Sequence, residues 1–127
     1  MLLTPSAERV WRCEFTSAGD TSSATRRWLR TSLSEHVDKE RLDTATLLVG
    51  EIVASSVRRN LANQPITVIV ALEALLLRVD VIGAKHDSGH ASALEMRGPI
   101  GGLTMVGRNA RSWGMTLGPP ARVWFAI

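Results

Sequence analysis

Apolar and polar residues alternate with period 2 near the start of this chain, which predicts a strand there. Between Arg9 and Phe15, the residues Trp11, Cys13 and Phe15 occupy one side, and Val10, Arg12 and Glu14 occupy the other. This is the pattern of a strand with one buried face. Cys13 is the sole cysteine, so it cannot form an internal disulfide, and we expect it to be a core residue of this strand.

Two later stretches change to a helical period. The first, Ala24 to Leu33, is predicted to be a helix that buries Trp28, Leu29 and Leu33 and turns Arg26, Arg27 and Arg30 towards solvent. The second, from about Lys39 to Arg59, repeats its apolar residues at i, i+3, i+4 and i+7. Glu51 and Ser55 lie one turn apart at the border of that apolar stripe. Both side chains could therefore project into one pocket.

The second half of the chain predicts strands around one further helix. Ile66 to Leu72 and Leu75 to Ile82 are predicted to form a hairpin through Glu73 and Ala74. Residues 83–98 have little periodicity and are predicted to be a long loop. The remaining expectations are a helix from Pro99–Gly102 to Arg111 and closing strands at 113–117 and 122–127.

Composition indicates a single globular domain over residues 1–127. The chain is 45% hydrophobic and 21% charged, with a net charge of +3. Its most apolar stretch, Ile66 to Ile82, is interrupted by charged residues and is too short to span a bilayer. The first residues lack the pattern of a signal peptide, so we expect a cytoplasmic protein with no membrane association. No nucleic-acid recognition motif accompanies the mildly basic charge.

Three stretches in order give the chain a family resemblance. They are Thr25-Arg-Arg-Trp-Leu-Arg-Thr-Ser-Leu33, Leu47-Leu-Val-Gly-Glu-Ile-Val-Ala-Ser-Ser-Val-Arg-Arg59, and Gly102-Leu-Thr-Met-Val-Gly-Arg-Asn-Ala-Arg-Ser-Trp-Gly114. Together they resemble the small bacterial anti-sigma-factor serine kinases, which belong to the superfamily of histidine kinase-like ATPases. The resemblance implies the Bergerat fold, an α/β two-layer sandwich with a mixed, mostly antiparallel sheet and helices on one face. It also makes Trp28, Trp113 and Trp124 packing anchors.

The resemblance assigns roles to two residues of the long helix. Glu51 would be the general base, a role suited to a carboxylate close to a hydroxyl; the alternative is an ordinary surface glutamate. Ser55 stands where the family has an asparagine that helps to hold Mg²⁺. A serine hydroxyl is shorter and a poorer ligand for this cation, so no metal site is predicted.

The other implied nucleotide contacts are also altered. Gly83 stands where the family has an aspartate that accepts a hydrogen bond from adenine, and it has no acceptor side chain; Asp87 could substitute if the loop is displaced. Gly101 and Gly102 could present backbone N–H groups to a phosphate at a helix start, although they could equally form an ordinary turn. Pro99 removes one of the nearby donors.

These residues leave two functions open. One is a regulatory protein that acts by protein contact, with weak or no ATP binding and no cofactor. The other is an active serine kinase that uses Mg-ATP to phosphorylate an anti-sigma antagonist. By resemblance, the partners would be a sigma factor or an antagonist of the STAS type, and the protein would form a homodimer. Loss of two independent pocket side chains, at Ser55 and Gly83, favours the first function.

Overall fold

The computed structural model describes residues 9–59, 64–74, 76–83, 103–116 and 120–127. Their elements, in chain order, are β1 (Arg9–Thr16), α1 (Thr21–Leu33), α2 (Lys39–Arg59), β2 (Pro65–Glu73), β3 (Leu76–Ile82), α3 (Leu103–Asn109), β4 (Ser112–Thr116) and β5 (Arg122–Ala126). The predicted helices and strands are confirmed in type and order. Where both ends are described, they differ from the predicted ends by a few residues, because capping and pairing contacts determine them and periodicity does not. The predicted loop beyond Gly83 and the predicted start of the last helix at 99–102 lie outside the described residues.

The described strands form one sheet with the order β1-β2-β3-β5-β4. Every pairing among them is antiparallel, so the parallel component of the expected mixed sheet is not found in this part of the chain. The hairpin between β2 and β3 is confirmed, and Ala74 in its turn has a positive φ of 48°. β1 and β4 are the two edges of the sheet.

One face of the sheet packs against the helices and forms the hydrophobic core. Alternate residues of β2, β3 and β5 share a single buried cluster with residues of all three described helices. The largest of its fully buried side chains are Phe125, Leu29, Leu33, Leu48, Ile52, Ile66 and Leu77. The described residues therefore form a two-layer α/β arrangement, and the opposite side of the sheet is called the outer face below.

Hydrogen bonds to side chains determine where α1 and α2 begin. The buried Thr21 hydroxyl donates to the carbonyl of Thr16 (2.7 Å) and accepts from the N–H of Ala18 (2.8 Å). This fastens the end of β1 to the first turn of α1, so the helix starts before the predicted Ala24. At α2, the Asp38 carboxylate accepts from the N–H of Arg41 (3.2 Å), as an N-cap residue does.

Three sequence predictions about burial are wrong. Cys13 is half-buried because β1 is an edge strand with only one neighbour. Trp113 lies on the other edge strand and is 40% exposed, so it is not a core anchor. Arg26 is half-buried, because its side chain lies across α2 at Gly50, where there is no Cβ to exclude it.

Candidate functional site

The helix α2 carries the two residues that the sequence singled out, but their side chains have different environments. Glu51 is partly exposed, whereas Ser55 has 0% exposure. Ser55 also takes part in an interaction within the chain. The residues share one border of the helix as predicted, yet only Glu51 can reach solvent.

Gly83 directly follows the last residue of β3 and is buried. Its N–H donates a 2.9 Å hydrogen bond to the carbonyl of Ala121, which extends the contact between β3 and the segment before β5. Its backbone donor is therefore already used, and it has no side chain. The other candidates for this region, Asp87, Gly101 and Gly102, lie outside the described residues.

Residues of α1 lie against α2 immediately before Glu51. The Ser22 hydroxyl donates to the carbonyl of Gly50 (2.9 Å). Arg26, one turn further along α1, covers the same glycine. The absence of a side chain at position 50 thus leaves room for Arg26, which lies across α2 just before Glu51. Sequence patterns did not reveal this contact, because it joins residues 28 positions apart.

The described residues do not fit Mg-ATP well. The resemblance places the metal ligand at Ser55, whose short side chain is fully enclosed, and Mg²⁺ requires oxygen ligands in near-ideal octahedral geometry. It places the adenine acceptor at Gly83, which has no side chain to supply one.

A second polar cluster, which the sequence did not predict, lies on the outer face. Asp80 is 4% exposed and accepts hydrogen bonds from Arg78 Nε (2.8 Å) and Nη2 (3.2 Å). Arg122 Nε, from the neighbouring strand β5, donates to the same carboxylate (2.8 Å). The guanidinium of Arg78 also lies 4.4 Å above the ring of Trp124. Period-2 spacing could have placed Arg78 and Asp80 on one face, but only the sheet brings in Arg122.

The two arginines keep Asp80 ionised. Burial raises the pKa of its carboxyl, but the hydrogen bonds and charges of Arg78 and Arg122 outweigh burial and lower the pKa below 3.8. In return, the hydrogen bond to Asp80 raises the pKa of Arg78. The cluster is thus a permanently charged group of three side chains at neutral pH.

Comparison with known proteins leaves the family open. Neither a scan against protein-family models nor a search of curated proteins gives a match to this chain. Among the described helices, none is long and apolar enough to cross a bilayer.

Proposed function

We propose that this protein is a regulatory domain with the histidine kinase-like ATPase fold, related to anti-sigma-factor serine kinases, that acts by binding a partner protein. In this proposal it binds ATP weakly or not at all. The two-layer arrangement and the order of its elements are compatible with that fold. The partner would be a sigma factor or a STAS-type antagonist, and the domain would act as a homodimer in the cytoplasm.

The observation that carries the proposal is the state of the two described pocket positions. Ser55 is fully buried and Gly83 has neither a side-chain acceptor nor a free N–H. A site that evolved to bond a buried amino group loses much of its affinity when the acceptor is missing. A protein that acts by binding a partner needs neither a metal ligand at position 55 nor an adenine acceptor at position 83.

Calorimetric titration with ATP and ADP, with and without Mg²⁺, tests this proposal. We expect no binding up to about millimolar nucleotide, the weak end of the usual affinity scale. A dissociation constant in the micromolar range would overturn it. The double variant Ser55→Asn, Gly83→Asp then asks whether these two contacts alone are missing. Its thermal unfolding must be measured beside the titration, because Asn is larger than the fully buried Ser55 that it replaces.

The alternative is an active serine kinase, and Glu51 is the residue that favours it. Its carboxylate is partly exposed on the helix that would line the site, as a general base requires. The test is transfer of labelled phosphate from Mg-ATP to a co-purified STAS-type protein. Transfer that is abolished in Glu51→Gln would establish the kinase and refute the purely binding role. We expect no transfer by either form.

A further inference from the structure

The outer-face cluster of Arg78, Asp80, Arg122 and Trp124 has the form of an incomplete ion-pair network. Two guanidinium groups converge on one carboxylate, and Asp80 Oδ2 accepts from both of them. One negative charge therefore faces two positive charges. Glu73 exerts a weaker Coulombic attraction on Arg78, but it makes no hydrogen bond to either arginine among the described residues.

The unsatisfied part of the network is at Arg122. Its Nε donates to Asp80, and among the described residues it has no other hydrogen-bonded partner. Its side chain is 45% exposed, so part of it is accessible to solvent and to a ligand. A guanidinium presents its donors in a planar fork that matches a carboxylate. The adjacent Arg78 is 43% exposed and is oriented by Asp80 and Trp124.

The cluster is also held in place before any ligand arrives. Asp80 is buried, and Trp124 lies against the backbone of Gly114, where an added Cβ would be 2.7 Å from the indole nitrogen. Arg78 is fixed between these two groups. Since the arginine heads are already ordered, a ligand would lose less conformational entropy on binding here than at free surface arginines.

We propose that Arg122 and Arg78 form a docking point for a carboxylate side chain of an acidic segment on a partner protein. A carboxylate bridging the exposed edges of the two guanidinium groups would give a closed ring of alternating charges. The charge balance favours a single protein carboxylate over nucleic acid. Arg78 and Arg122 together carry one positive charge more than Asp80 neutralises, which one carboxylate would balance. The described residues of the outer face as a whole carry three arginines and three carboxylates, so the face has no net positive charge to attract a continuous polyanion; these residues are Arg12, Arg78, Arg122, Glu14, Glu73 and Asp80.

This inference rests on the proposed function only in taking the partner to be a protein. Its test involves neither nucleotide nor phosphate transfer, so the two can fail separately. The full-length protein, labelled with ¹⁵N, is titrated with a blocked peptide Gly-Gly-Glu-Gly-Gly and with its Gln counterpart. We expect the Glu peptide alone to shift the Nε–H signals of Arg78 and Arg122 and the indole N–H of Trp124, with saturation at millimolar concentrations.

Variants on the same face make the test specific. Arg122→Gln should weaken binding of the Glu peptide about tenfold, as expected for loss of a charge-assisted bidentate contact. Arg122→Lys keeps the charge beside Asp80 but loses the fork, and it should weaken binding nearly as much. Arg12→Gln is the matched control. Arg12 is exposed and lies on the same face as Asp80, two strands away, with Ile69 between them. Its loss should change the affinity for the Glu peptide by less than about twofold, which corresponds to a few tenths of a kcal/mol.

Three results would overturn the proposal. Equal shifts with the Glu and Gln peptides would show that the carboxylate is not recognised. Equal weakening by Arg12→Gln and Arg122→Gln would indicate diffuse attraction to the whole face. Inorganic phosphate that binds the two arginines more tightly than the Glu peptide would reassign the site to a phosphorylated partner. The amide spectrum of each variant reports whether it is folded, so a loss of binding can be separated from a loss of structure.

Discussion

Replacing Gly114 by alanine should destabilise the protein, because the indole of Trp124 occupies the space that a Cβ would need. Gly114 on β4 is directly opposite Trp124 on β5. A Cβ there would lie 2.7 Å from Nε1 and 3.0 Å from both Cε2 and Cζ2 of the ring. An indole cannot bend away, and its other surroundings include the guanidinium of Arg78 at 4.4 Å from the ring centroid.

The size of this effect follows from three contributions. Overpacking of an ordered side chain costs about 1–3 kcal/mol. Displacing the ring also weakens the cation–π contact with Arg78, which is worth about 0.5–1 kcal/mol at an exposed site. Alanine also restricts the unfolded chain more than glycine does, and this stabilises the folded state by about 0.4–1 kcal/mol, opposing the other two contributions. The net expectation is a loss of about 1–3 kcal/mol in the free energy of unfolding.

The assay is urea unfolding at pH 7 followed by circular dichroism, and Gly50→Ala is the matched comparison. A Cβ at position 50 would also meet a side chain, with Arg26 Cδ at 3.1 Å and the end of its guanidinium closer still. That side chain is long and flexible and can move aside, and alanine in a helix gains about 1 kcal/mol over glycine.

We therefore expect Gly50→Ala to be neutral or stabilising, opposite in sign to Gly114→Ala. Unchanged stability in Gly114→Ala, with the signals of Trp124 unmoved, would refute the reasoning. Equal losses of stability in both variants would also contradict it. The rigid indole of Trp124 and the flexible side chain of Arg26 would then have the same effect, so rigidity of the neighbouring side chain could not be the cause.

Three further changes test other parts of the structure. Asp80→Asn should lower the free energy of unfolding at neutral pH, and the difference from the unaltered protein should shrink below about pH 4. The pKa of Asp80 is below 3.8 in the folded state, so the stability contributed by its charge is present above pH 3.8 and is lost as the pH falls through the folded pKa. Urea midpoints measured between pH 2 and 7 test this. Thr21→Val leaves the Ala18 N–H and the Thr16 carbonyl without their partner and should cost about 1–3 kcal/mol in urea unfolding; no loss would mean that water replaces the hydroxyl. Asp43→Asn breaks only exposed ion pairs and should leave the urea midpoint unchanged, so a clear fall would show that those pairs matter.

The elements could be predicted because their signals are local. The alternation in β1 and β2 and the helical period of α2 depend on neighbours within a few residues, and the same spacing put Glu51 and Ser55 on one border of α2. The difference between these two residues could not be predicted. Whether a side chain at this border is exposed or buried depends on which segments pack beside the helix, and those segments are distant in the chain.

The outer-face cluster shows the same limit. Arg78 and Asp80 are two residues apart, so a strand places both on one face, but the sequence gives no reason to pair them with Arg122, 42 residues beyond Asp80. The strand order β1-β2-β3-β5-β4 makes β3 and β5 neighbours, and their register then brings Arg122 to the carboxylate. Arg26 is a related case, because only the packing of α1 on α2 showed that its side chain lies against Gly50.

By itself, then, the sequence determined the types and order of the elements, the apolar stripe of α2 that enters the core, and the absence of an amide at Ser55 and of a side chain at Gly83. These properties reside in single residues or in spacings of two to four positions. Tertiary structure alone decided that Ser55 is enclosed while Glu51 reaches solvent, that Cys13 and Trp113 lie at sheet edges, and that two arginines share Asp80. The physical reason is that burial and charge pairing depend on distances in space, which the chain sets only once its strands have paired.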